Sequence, residues 1–239
     1  MLKNPSLSEL AISQSTPDNC YTAEQMLAYF DKYIAYEKDI WIKHYGKGTA
    51  EEILTRARDE LALLAPVMPC IEDPNDSLKG SYVALAKYKA QKQNGTPLED
   101  SAAIQYEALA YTLFNVPWVT RLLIGLRSFS KSRKEALQKR ALKTQARENP
   151  DDWVFEYIEG DGRTFAYGMN YFECPVVKCF PRHDAAEFSQ YICHSDDIAS
   201  DAFGYGYIRT STLAWGADKC DFRCKWTLPR FFPRKNYLA

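Results

Sequence analysis

Five of the seven cysteines, Cys174, Cys179, Cys193, Cys220 and Cys224, fall in the last third of the sequence, so thiol chemistry is the first to consider. Cys174 precedes Pro175, a residue suited to the first position of a helix, and this order places Cys174 at the N-cap, where backbone N–H groups favour a thiolate. Such a thiolate is able to attack an amidine or imine carbon. Asp196 follows Cys193 at helical spacing, on the adjacent turn of the same face, where a carboxylate can orient a base or hold a substrate cation. His183, between Arg182 and Asp184 in a predicted loop, can serve as base for a thiol or simply face solvent, and His194 beside Cys193 repeats the idea. Arg209 precedes Thr210, Ser211 and Thr212 on a predicted strand. Its guanidinium fork with those hydroxyls suits a substrate carboxylate, the competing reading being an ion pair with Asp218 or Asp221 across a hairpin. For every cysteine the bland alternative is a small buried hydrophobe, above all for Cys20, Cys70, Cys179 and Cys224. A further alternative is a zinc site built by Cys174, Cys193 and Cys220 with His183 or Asp196. Paired Cys-x-x-Cys, His-Glu-x-x-His and glycine-rich phosphate motifs are absent.

These residues need a scaffold, and the periodicity predicts one in two parts. Met26, Leu27, Phe30, Tyr33, Ile34, Ile40 and Trp41 recur at helical spacing after a capping-box start at Thr22. Gly46 and Gly48 end that helix; Thr49 opens a second, carrying Ile53, Leu54, Ala57, Leu61 and Leu64 up to Pro66. Val67 to Leu78 reads as a loop, Ser81 to Gln93 as a weaker helix, and Asp100 or Ser101 as the cap of a long core helix to about Leu126, kinked at Pro117. The run Lys131 to Arg147 predicts a solvated basic helix, the alternative being an anion- or membrane-facing surface.

After Asn149-Pro150 the texture changes. Trp153 to Ile158 and Thr164 to Phe172, joined across Glu159-Gly160-Asp161-Gly162, predict a β-hairpin ended by Cys174-Pro175. A helical segment follows, then a helix capped by Asp184 and running to Phe203. Tyr207 to Ala214 and Cys220 to Leu228 predict a second hairpin, with Cys220, Phe222 and Cys224 on one face. The expected fold is α+β: an N-terminal helical half, 1–150, packed with a β-β-α-β-β mainly antiparallel four-stranded sheet in 151–239, the two halves compatible with one compact domain.

Composition bounds the rest. The 239 residues are 46% hydrophobic and 26% charged, with a formal charge of −1, which fits a self-folding globular chain and gives no global field toward nucleic acid or an anionic membrane. Met1 to Ser13 lacks the apolar core of a secretory signal, Ala108 to Leu126 is interrupted by Asn115, Pro117 and Arg121 and so predicts no membrane span, and the odd cysteine count points to reduced thiols. The terminus at Lys235 to Ala239 carries no lipidation or peroxisomal signal. The expectation is a cytoplasmic protein acting on a small molecule.

Four segments in order, Asn170-Tyr171-Phe172-Glu173-Cys174-Pro175, Tyr191-Ile192-Cys193 with Asp196, Arg209-Thr210-Ser211-Thr212-Leu213-Ala214-Trp215-Gly216 and Cys220-Asp221-Phe222-Arg223, resemble the L-2-amino-thiazoline-4-carboxylic acid hydrolase family. The resemblance is most specific from about Asp152 to Lys225. It implies hydrolytic opening of a cyclic amidine, a cysteine-derived aminothiazoline carboxylate, to N-carbamoyl-cysteine without an organic cofactor. Cys174, Cys193, Asp196, Arg209, Thr212, Cys220 and Asp221 occupy recurring motif positions. The roles that follow are Cys174 as nucleophile at ring C2, Asp196 holding the amidinium, Arg209 gripping the carboxylate, and Cys193 or Cys220 as alternative nucleophiles. Trp215 stands where a smaller residue would be unremarkable, so an indole reshaping the pocket is expected. A family name does not fix one member's substrate. A cyclase or isomerase of specialised metabolism, a zinc protein and a small-ligand-binding module are the competing functions.

Overall fold

The structure, a computed structural model, describes residues 21–72 and 76–237. The readings on Met1 to Ser13, on Cys20 and on the last two residues lie outside them. Helix α1 (Ala23–Tyr45) starts from the expected capping box, the Gln25 amide donating to Thr22 Oγ1 at 3.2 Å and the Thr22 amide to Gln25 Oε1 at 3.0 Å. Gly46, at φ 74°, turns the chain directly into α2 (Lys47–Leu64), which therefore begins ahead of Thr49. Helix α3 (Ser77–Gln93) is buried on several faces, which explains its weak periodicity: Leu78, Tyr82, Leu85 and Ala90 are all core residues.

The predicted long helix is two helices, α4 (Leu98–Phe114) and α5 (Trp118–Ser128), meeting at 95°. Pro117 carries no N–H to continue α4, and its carbonyl instead accepts the Arg121 amide to start α5. Only α4 is a core helix; the outward face of α5 is exposed and apolar, with Val119 and Leu123 about 60% accessible. No single helix among the described residues is long and apolar enough to cross a membrane. Helix α6 (Lys131–Thr144) packs on the first strand.

The sheet has strand order β1-β2-β4-β3, all pairs antiparallel, with β1 Val154–Glu159, β2 Tyr167–Glu173, β3 Tyr207–Ile208 and β4 Cys220–Cys224. Asp161 closes the first hairpin by accepting the Arg163 and Thr164 amides. Between β2 and β3 lie α7 (Pro175–Arg182), α8 (Ser189–Ile192) and α9 (Ser195–Phe203). In place of the single helix expected after Asp184 there is a 3₁₀ turn at Ala186–Phe188 followed by α8 and α9: Asp184, at φ 58°, does not cap a helix, and between α8 and α9 the His194, Asp196 and Asp197 amides bond three residues back, to the Tyr191, Cys193 and His194 carbonyls. The last hairpin is also shorter than expected. Asp221 captures the amides of Thr210 and Ser211 at 2.8 and 2.6 Å, which takes the chain out of the sheet after Ile208. One hydrophobic cluster runs from Met26 and Trp41 through Leu85 and Tyr106 to Phe155, Phe222 and Tyr237, so both halves share a core. The fold is α+β, with the helical half against the four-stranded antiparallel sheet.

Candidate active site

A cavity of about 410 Å³ lies between α1, α3 and α4 on one side and the sheet with α9 on the other. Antiparallel pairing of β2 with β4 sets Tyr171 opposite Cys220 and Met169 opposite Phe222. Since side chains alternate along a strand, these four share the face toward the helices, and Cys174, the residue that follows the end of β2, reaches the same space. Cys174, Cys193, Asp196, Arg209 and Cys220 all line this one cavity. They come from four separate stretches of chain.

Cys174 is the N-cap of α7, as its sequence implies, but the expected low thiol pKa is not found. Burial pushes the Cys174 thiol up to about 12, outweighing the Val177 and Val176 amides that favour the thiolate. Burial, reinforced by the Asp196 carboxylate, pushes the Cys193 thiol up to about 12 as well. Cys220 differs in its hydrogen bonds. Its sulfur accepts the Leu213 amide at 3.3 Å and lies 3.4 Å from the Thr212 hydroxyl. Thr212, 1% exposed, is not a cavity wall but the hydroxyl behind it: its oxygen accepts the Ala214 amide and it stands 3.8 Å from the Cys193 sulfur, so one side chain spaces two thiols.

Arg209 and Asp196 are partners of each other, Nη1 donating to Oδ2 at 3.1 Å, rather than of Asp218 or Asp221. Arg209 also donates to the Cys193 carbonyl at 3.0 Å and stacks over Phe222 at 4.9 Å. Asp196 lines the cavity with 42% of its side chain accessible, and burial of the carboxyl pushes it up to about 6 despite the guanidinium beside it. A carboxyl poised there exchanges protons near neutral pH.

Two predicted site residues lie elsewhere. His183 does not line the cavity; its Nε2 is 3.4 Å from the Tyr82 hydroxyl, and burial lowers its pKa. Asp221 faces away on β4 and anchors the Thr210–Ser211 loop; burial alone would raise its carboxyl, but the Thr210 hydroxyl and the Ser211 and Thr210 amides hold it at about 2. Trp215 is also outside the cavity. A 3₁₀ turn over Leu213–Trp215, closed by Gly216 at φ 80°, leaves the indole 60% exposed beside His194. Among the described residues no group of three or more His, Cys, Asp or Glu side chains is arranged to hold a metal ion. Cys179 and Cys224 are free but packed away from the cavity. Cys70 is disulfide-bonded, against the expectation of thiols reduced throughout.

Sequence reasoning missed the opposite wall. Glu37 on α1 and Lys87 on α3 form an ion pair of 2.7 Å, both nearly inaccessible, with the Trp41 indole donating to the same carboxylate oxygen at 3.4 Å. Gln105, Tyr106 and Arg140 line the cavity too. A carboxylate at position 37, on the face shared by Phe30, Tyr33 and Trp41, was the available signal: an acid inside an apolar stripe needs a buried partner.

The sequence model for L-2-amino-thiazoline-4-carboxylic acid hydrolases matches residues 83–224, more than half of the chain. The chain belongs to the L-2-amino-thiazoline-4-carboxylic acid hydrolase family. Cys174, Cys193, Asp196, Arg209 and Cys220 fall within the matched region, whereas Tyr29, Tyr33 and Glu37 on the far wall precede it. No curated protein and no solved structure matches this hydrolase-family chain.

Proposed function

We propose that this chain is a thiol-dependent hydrolase that opens a small cyclic amidine of the 2-aminothiazoline-4-carboxylate type. The observation that carries the reading is the meeting of three thiols with the Arg209–Asp196 pair in one cavity. A guanidinium and a carboxylate side by side match a substrate that carries a carboxylate and an amidinium on the same ring. Burial that pushes the Cys174 thiol up to about 12 despite its two amides, together with the Leu213 amide and the Thr212 hydroxyl at the Cys220 sulfur, favours Cys220 as the nucleophile over Cys174.

In this scheme Asp196 or the ring nitrogen takes the thiol proton, the sulfur adds to C2, and the bond from C2 to the ring sulfur breaks. The departing sulfur is protonated and an isothiourea remains on Cys220. Water then adds to the same carbon, the enzyme thiol leaves, and the product is the N-carbamoyl amino acid. One water is consumed and no redox partner or organic cofactor enters. Asp196, ionising near 6, is suited to relay both protons.

The cavity volume of about 410 Å³ falls in the range of roughly 300–1,000 Å³ that encloses drug-sized ligands, more than a lone five-membered ring requires. This supports a substrate bearing an extension toward the Glu37–Lys87 wall. The test is incubation with 2-aminothiazoline-4-carboxylate and with ring-substituted analogues, following N-carbamoyl product by mass spectrometry. Ring opening abolished in Cys220→Ala supports the reading; full turnover by that variant refutes Cys220 as the nucleophile.

A further inference from the structure

Helix α5 is amphipathic in the inverted sense. Its inward face carries Arg121, 2% exposed, which donates to the backbone carbonyls of Val116, Ala202 and Arg230, and Gly125, where an added Cβ would stand 2.1 Å from the Phe203 carbonyl oxygen. Its outward face is aliphatic: Val119, Leu123 and Leu126 are 61, 60 and 47% exposed. The C-terminal segment is strapped beside it. Trp118 donates to the Pro229 carbonyl at 3.0 Å and stacks on Phe231 at 5.0 Å, while Arg234 and Tyr237 both bond Asp201. The strap presents Phe231 and Phe232 to solvent, at 67 and 80% exposure. These are fixed outward-facing side chains, held by buried polar anchors on the other side of the backbone.

Charge says what they meet. The chain as a whole is balanced, 30 basic against 31 acidic residues, yet the stretches 108–134 and 222–239 that build this face contain no Asp or Glu. Arg127, Lys131, Arg230 and Lys235 are exposed around the apolar side chains; Arg230 and Arg234 meet Asp201, and Lys131 lies 3.9 Å from Glu135. A second copy of the chain would set cation against cation across a twofold contact, a juxtaposition that disfavours association. An anionic lipid surface instead takes both components, the aliphatic and aromatic side chains at the acyl boundary and the basic rim at the headgroups.

We propose that the outward face of α5 and the Phe231–Phe232 strap form a docking surface for an anionic bilayer, on which the protein lies without spanning. The surface is independent of the ring-opening reading, as none of its residues lines the cavity.

Co-sedimentation of the full chain with phosphatidylcholine vesicles, with and without phosphatidylserine, tests this. Binding is expected only to the phosphatidylserine vesicles, and it is expected to weaken on adding salt. Leu123→Ser with Phe232→Ser should lower partitioning by roughly tenfold or more. Each of Arg127→Gln and Lys235→Gln should lower it about fivefold. Leu63→Ser, at an equally exposed leucine outside the face, should leave it unchanged. All five sites are solvent-exposed, and circular dichroism and the melting temperature report that each variant is folded. Failure of the wild type to bind phosphatidylserine vesicles overturns the proposal, as does binding indifferent to the Leu123/Phe232 pair. A wild-type dimer in sedimentation that the same pair dissolves also overturns it and assigns the face to self-association.

Discussion

Arg209→Met separates the two tasks assigned to the Arg209–Asp196 pair. In the wild type the guanidinium is one of the groups drawing the Asp196 carboxyl down toward about 6 against burial. Removing it leaves His194 as the remaining group that opposes burial and the neighbouring Asp197, so Asp196 must titrate above 6 in the variant. Because the ionised form is the one that accepts a proton, the acid limb of kcat/KM moves to higher pH. A charge-assisted hydrogen bond to the substrate carboxylate is worth about 1.5–3 kcal/mol, so kcat/KM at the pH optimum should fall by about 10- to 150-fold, most of it in KM. The assay is a pH–rate profile of ring opening from about pH 5 to 8 for both proteins, beside an NMR titration of the Asp196 carboxyl that needs no turnover. An acid limb and a carboxyl titration that stay at or below the wild-type values would refute the electrostatic coupling, whatever happens to the rate.

Other expectations are less elaborate. Cys220→Ala should abolish turnover while Cys179→Ala and Cys224→Ala, buried away from the cavity, retain it; steady-state assays on folded variants decide. With the Cys174 and Cys193 thiols near 12, their alkylation by iodoacetamide should be slow at neutral pH and accelerate with each pH unit, as peptide mapping would show. Lys87→Met strands the buried Glu37 carboxylate and should cost about 3–5 kcal/mol in urea unfolding, whereas Lys87→Met with Glu37→Leu should cost much less. In Gly125→Ala the roughly 1 kcal/mol gained in helix propensity cannot offset a Cβ placed 2.1 Å from the Phe203 carbonyl, so the melting temperature should fall.

Local signals in the chain read well where one residue type dictates one geometry. The Thr22–Gln25 box, the Asp161 turn, the alternation through Cys220, Phe222 and Cys224, and the N-cap at Cys174 all follow from backbone rules that act within a few residues. The gathering of Cys174, Cys193, Asp196, Arg209 and Cys220 could be anticipated only because the motif segments sit at strand and helix ends that the sheet brings together. What escaped reading depends on neighbours distant in sequence. The Cys174 thiol rises because the folded chain buries it, a burial that no N-cap rule contains. Asp221 already points away by strand alternation, but that it is spent on the two amides ahead of it was not legible, and Arg209 finds Asp196 because α9 lies against β3. The Glu37–Lys87 pair joins helices fifty residues apart and had only a misplaced acid to announce it.

Ring opening by the cavity thiols is the central step of the proposed chemistry. Its most direct test compares 2-aminothiazoline-4-carboxylate turnover by the wild type with that of a folded variant carrying Cys174→Ala, Cys193→Ala and Cys220→Ala. Each reaction is quenched and examined by intact-mass spectrometry for a substrate adduct. The expected result is N-carbamoyl-cysteine and a transient adduct on the Cys220 peptide from the wild type, and neither from the variant. Undiminished product from the thiol-free cavity would contradict covalent catalysis outright.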